Sequence, residues 1–213
     1  MLARGFSQLP VMTSTREVKG VISWQSIGAR MGTGRTGVSV RELMEAAHEV
    51  PDNFSIFQVI PMIVANDYVL IRRPDKVISG IVTASDLSLQ FQQLSEPFLL
   101  LSEIENQLRQ RIADRFLPSV LAECRDPLDT SRTVERASDL TFGEYIRLLE
   151  NPERWASFAP HLDRRIFCEQ LGRVRDIRND VMHFDPDGIS PGSLDTLREF
   201  AKFFQRLTSI GIT

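Results

Sequence analysis

Residues 65–87 read ANDYVLIRRPDKVISGIVTASDL, and residues 5–27 read GFSQLPVMTSTREVKGVISWQSI. Set residue 65 over residue 5, and the two align without a gap at an offset of 60. In each, a short apolar strand (Leu9 to Met12; Tyr68 to Arg72) runs into a polar turn. A second apolar strand (Val18 to Ser23; Val77 to Thr83) and a helix start follow. Gly20 matches Gly80, and Val21-Ile22 matches Ile81-Val82, as two paired strands packed on helices require. The chain therefore contains a repeated strand-turn-strand-helix unit.

Between the copies lie a Gly-rich stretch (Met31 to Gly37), a short Val38-Ser39-Val40 strand, and apolar helical patterns over Arg41 to Val50 and Phe54 to Ala65. The second unit thus reads strand, helix, strand, strand, helix. The first lacks the opening strand and helix, either because the start is internal to a natural unit or because the unit is half-sized. Gly32 to Gly37 (GTGRTG) matches GxGxxG, but a dinucleotide fingerprint must follow a strand and open a helix. This one follows a helical segment and precedes a strand, so it reads as a linker, with Arg35 as a phosphate-reaching side chain at most.

From Glu96 the strand pattern stops. Four helical stretches are expected at about Glu96 to Phe116, Thr141 to Leu149, Leu162 to Phe184 and Ser193 to Ile210. Phe98, Leu101, Ile104, Leu108 and Ile112 recur at spacings of three and four, one face of an amphipathic helix. Asp126-Pro127, Asn151-Pro152 and Ala159-Pro160 fall where loops are expected. The organisation expected is an αβ repeat module over residues 1–95, with units of about 5–31 and 38–95, then an all-helical domain over 96–213.

Bulk properties bound the function. The 213 residues are 42% apolar and 25% charged with net charge −3, an ordinary globular composition with room for two small cores. No chain-wide positive field draws it to nucleic acid, so duplex DNA is not an expected partner. Cys124 and Cys168 sit in no CxxC pair, which points to neither a disulfide framework nor a zinc site, and no metal is expected. With no signal-like or membrane-spanning apolar stretch, a soluble cytoplasmic protein is expected.

Gly80 to Leu87 (GIVTASDL) carries the first chemistry. A strand delivers Thr83 to a helix start, and Asp86 follows three residues later. Free N–H groups and the helix dipole favour an anion there, and a hydroxyl with a carboxylate can hold a ribose diol. Thr-x-x-Asp is equally good capping chemistry, so the residues alone leave both readings open. Together with the repeat, these residues resemble a cystathionine-beta-synthase-type (CBS) domain pair. The resemblance implies an adenine nucleotide (AMP, ADP or ATP) as regulatory ligand, with Thr83 and Asp86 on the ribose and Tyr68, aligned with Gln8, near the base. The first copy has Ser23 and Ser26 instead, so at most one well-formed site per chain is expected.

Arg175 to Phe184 (RDIRNDVMHF) carries the second, and it resembles the Arg-Asn-x-x-x-His motif of the HEPN ribonuclease and toxin superfamily. Over 96–213 the resemblance is otherwise one of helical layout, and it implies Arg178 and His183 as a catalytic pair with Asn179 in support. Independently, metal-free RNA cleavage needs a group titrating near neutrality, which histidine supplies, and a fixed cation on the phosphate, which arginine supplies. At about 100° per residue, Arg178 and His183 lie roughly 140° apart, whereas Asn179 and His183 share a face. Either the helix distorts near Phe184-Asp185-Pro186 or two chains form a composite cleft, so a homodimer is expected. Against this, Asp176, Asp180 and Asp185 crowd the motif, and a structural ion-pair network is the plain alternative. Residues 161–182 hold five Arg against four acids, a weak positive patch for single-stranded or structured RNA. His48 and His161 are isolated and read as surface or structural.

The expectation is an α+β chain, a CBS-type αβ repeat module followed by an all-α HEPN-like four-helix bundle. Its expected activity is an adenine-nucleotide-regulated, metal-independent ribonuclease of a stress or defence kind. The alternative is a non-catalytic nucleotide sensor whose helical half serves dimerisation or partner docking.

Overall fold

The computed structural model describes residues 1–34, 39–129, 131–183 and 189–209. It is a mixed α and β fold in two compact units, Met1–Phe91 and Gln92–Thr213.

In the first unit, β1 (Gln8–Ser14) and β2 (Glu17–Ser23) form an antiparallel ribbon leading into α1 (Trp24–Gly32). After α2 (Val40–Leu43), a three-stranded sheet is built from β3 (Glu49–Pro51), β4 (Tyr68–Arg72) and β5 (Ile78–Thr83), with α3 (Ile56–Asn66) between β3 and β4. β3 runs parallel to β4, and β5 antiparallel to it. β5 leads into α4 (Ala84–Ala113).

The repeat is reproduced residue for residue in the strand pairing. Gln8, Leu9, Pro10 and Val11 face Ser23, Ile22, Val21 and Gly20. Their equivalents Tyr68, Val69, Leu70 and Ile71 face Thr83, Val82, Ile81 and Gly80. Both ladders slip at the same step, between Val11 and Met12 and between Ile71 and Arg72. Apolar side chains join the copies, since Val21, Tyr68 and Leu70 form one buried cluster against Val18, Ala47, Ile78 and Ile81. Burying apolar surface from both hairpins at once makes neither independent of the other.

Local pattern failed between the copies. The strand expected at Val38 to Val40 is not seen at its described end: Val40 opens helix α2. Part of the helical pattern expected through Val50 is instead strand β3. A three-residue strand exists only through its partner, here β4, and that pairing is invisible to a window of neighbouring residues. Likewise no helix begins at Glu96, because α4 already starts at Ala84 and carries the buried Pro97 inside it.

The second unit adds α5 (Pro118–Ala122), α6 (Phe142–Glu150), α7 (Pro152–Phe158), α8 (Arg164–Met182) and α9 (Pro191–Ser209). Its core takes Ile104, Leu108 and Ile112 from α4, Tyr145 and Leu148 from α6, Leu171 and Val174 from α8, and Leu197 and Phe204 from α9. Helices α5 and α7 both begin with proline, whose fixed φ suits the first helical position even though it cannot continue a preceding helix. Asn151-Pro152 is thus a junction between two helices, where a loop was expected. Glu144, buried at 2% exposure, accepts from Arg132 Nη2 at 2.6 Å and from the Asp126 and Thr141 N–H groups at 2.7 Å each. Burial pushes this carboxyl up, but the Arg132 and N–H bonds outweigh it and hold it below the usual range. Among the described residues no helix is long and apolar enough to cross a membrane.

Candidate functional site

A cleft of about 370 Å³ opens in the first unit. Ten of its lining residues fall into five pairs separated by the repeat offset: Ser7 with Asp67, Gln8 with Tyr68, Ser23 with Thr83, Trp24 with Ala84, and Gln25 with Ser85. Asn66 completes the wall. The cleft is therefore where the start of the first strand and the start of the helix meet in each copy. One backbone bond fixes that junction twice: the Trp24 N–H donates to Ser7 O at 3.2 Å, and the Ala84 N–H to Asp67 O at 3.1 Å.

Of the residues expected on the ribose and base, Thr83 and Tyr68 line the cleft, whereas Asp86 is not part of its wall. Asp86 Oδ2 accepts from Thr83 N at 2.8 Å and from Thr83 Oγ1 at 2.7 Å, while the Asp86 N–H donates to Thr83 Oγ1 at 3.2 Å. These Thr83 hydrogen bonds hold the carboxyl below its ordinary value. Ser23 and Ser26 repeat the box without charge, each N–H donating to the other's Oγ at 2.9 Å. Capping and lining thus coexist at Thr83. Tyr68 is nearly buried, at 6% exposure, and its ring meets His48 edge-on at 6.1 Å between centroids. Burial pushes its phenol up, and a bond with the His48 backbone pulls it partly back.

The sequence reading missed Trp24, Gln25, Asn66 and Asp67. Trp24 keeps 45% of its surface exposed, a large planar side chain at the cleft where the second copy has Ala84. The signal was present: once the repeat is aligned, every position flanking Thr83 and Tyr68 has a partner 60 residues away.

In the second unit, Arg178, Asn179 and His183 sit at the end of α8. His183 caps the helix with φ −85° and ψ 1°, its N–H donating to Asn179 O at 3.0 Å, so the two stand on successive turns. Both are exposed, while Arg178 is half-buried and its Nε has no hydrogen-bond partner among the described residues. Of the ion-pair network weighed above, the described residues show Arg175 with Asp176 at 2.8 Å. Phe184, Asp185 and Pro186 lie outside the described residues, as does Arg35. Gly32 ends α1. His48 contacts Tyr68 from outside the cleft lining.

No family model matches the chain, and no curated protein matches it. Among solved structures it is similar to a CBS domain protein from Shewanella oneidensis MR-1, at 18% identity over 41% of this chain and 71% of that one, TM-score 0.34. A hemolysin-like protein containing a CBS domain from Oenococcus oeni PSU gives 20% identity, 41% and 67% coverage, and TM-score 0.35. CbpB from Streptococcus agalactiae gives 19%, 46% and 66%, and 0.37. At these identities and scores, the reading of the first unit stands on its repeat and its cleft.

Proposed function

We propose that this protein is a nucleotide-binding regulator whose first unit takes an adenine nucleotide in the paired cleft and whose helical unit carries the output. The supporting observation is the cleft itself: about 370 Å³, within the size range of small-molecule sites, with aromatic faces and convergent hydroxyl and amide groups. Trp24 and Tyr68 offer planar contacts for a base; Thr83 and Ser85 offer hydroxyls for a ribose. Asp86 acts through Thr83, holding its hydroxyl in place. Isothermal titration calorimetry with adenosine, AMP, ADP and ATP tests this. At least one should bind, and Trp24→Ala should weaken it about tenfold, as loss of a base-stacking contact does. Unchanged affinity in Trp24→Ala would move the ligand out of this cleft.

For the output we propose a HEPN-type, metal-independent ribonuclease. Its support is the pair of exposed side chains on successive turns, Asn179 and His183, beside the half-buried Arg178. In a homodimer each chain would contribute an Arg178 and a His183 to a composite cleft, one histidine acting as base and the other as acid. Labelled single-stranded RNA in EDTA should be cleaved by the wild type and at least about 100-fold more slowly by His183→Ala. Cleavage by a strict monomer would remove the composite cleft. No cleavage by the wild type would leave the helical unit as a dimerisation or docking module.

A further inference from the structure

We infer that the cleft selects against phosphate: it binds adenosine more tightly than AMP, and AMP more tightly than ADP or ATP. The inference rests on the cleft reading above and adds the chemical class of ligand that the cleft prefers.

Charge is the first reason. Among the described residues no lysine, arginine or histidine lines the cleft, and Asp67 does. Asp67 occupies the left-handed conformation that ends α3, with φ 65°, and its carbonyl holds the Ala84 N–H. Its backbone is therefore fixed at the wall, and its side chain, which is exposed, brings a negative charge to the cleft, so each added phosphate charge raises the cost of binding.

Occupied donors are the second reason. A helix start grips phosphate through free N–H groups, and two helices begin at this cleft. In α1 the Trp24 N–H is bonded to Ser7 O and the Ser26 N–H to Ser23 Oγ. In α4 the Ala84 N–H is bonded to Asp67 O and the Asp86 N–H to Thr83 Oγ1. That leaves Gln25 and Ser85 as the only N–H groups in the first three positions of each helix without a described bond. The α4 start also already holds an anion, the Asp86 carboxylate on Thr83 N and Oγ1. Neutral hydrogen-bonding groups and aromatic faces remain, and these suit a base and a ribose.

Calorimetry on the full chain at about 50 mM and about 500 mM salt provides the test, since screening separates charge repulsion from shape. Adenosine should bind at least about tenfold more tightly than ATP at low salt, and the ratio should shrink at high salt. Asp67→Asn keeps a side chain that tolerates the left-handed backbone; it should narrow the ratio several-fold by tightening ATP binding more than adenosine binding. ATP binding as tightly as adenosine, or a ratio unmoved by both salt and Asp67→Asn, overturns the inference and leaves the cleft reading standing. Failure of all four ligands to bind overturns both.

Discussion

The two hairpins share the register of their strands and differ in what surrounds them. Leu9 to Met12 and Val69 to Arg72 pair with their own second strands in the same register and slip at the same step. Yet Gly20 and Gly80, equivalent in sequence and in ladder, meet different neighbours. A Cβ on Gly20 would stand 2.4 Å from the Glu45 carbonyl oxygen, whereas one on Gly80 would meet nothing within 4 Å. The helix starts differ in the same way: the first copy closes its cap with two hydroxyls, the second with a hydroxyl and a carboxylate. Repetition fixes the scaffold, and the divergent positions carry what each copy does alone.

Three experiments would break or sharpen this contrast. Gly20→Ala should cost about 3 kcal/mol, because backbone must move to admit the methyl group, while Gly80→Ala should stay within about 0.5 kcal/mol. Urea unfolding midpoints read both, and equal losses would remove the asymmetry. Ser23→Ala and Thr83→Ala should each cost about 1 kcal/mol through loss of a helix cap, read the same way. The smallest effect is the pH dependence of the second cap. Asp86 has a folded-state pKa below its unfolded value of 3.8, so its stabilisation is present above that value and lost as pH falls through the folded one. Asp86→Ser, which copies the uncharged box, should therefore be less stable than wild type by a few tenths of a kcal/mol at neutral pH, and the gap should shrink as pH falls below 3.8 through the lower folded-state value. A gap constant with pH would mean that the carboxylate charge contributes nothing.

Much of the first unit was legible because its information is local and written twice. Short apolar runs bounded by polar turns marked the strands, and the 60-residue offset supported the turn and helix start. Glu49–Pro51 was not legible, since its strand state comes from pairing with β4 across the intervening α3. Pro152 was read as a loop position when it also starts a helix, a double meaning that only the following turn resolves. At the site, Thr83 and Tyr68 were found from a motif and its alignment. Trp24 and Asp67 escaped because nothing in their own sequence windows distinguishes a cleft-lining tryptophan or aspartate from a surface one.

The bridge between Val21 and Glu45 has a consequence for behaviour at high concentration. Both backbone groups of Val21 are engaged, its N–H with Glu45 O and its carbonyl with the Glu45 N–H, each at 2.9 Å. A two-stranded ribbon left open would offer the β-branched run Val21-Ile22 as a template for strands of other molecules. Glu45 acts as a gatekeeper on that margin, and Gly20 is the position that lets it approach. Loss of the bridge would therefore show itself in light scattering that grows with protein concentration as well as in a lower unfolding midpoint.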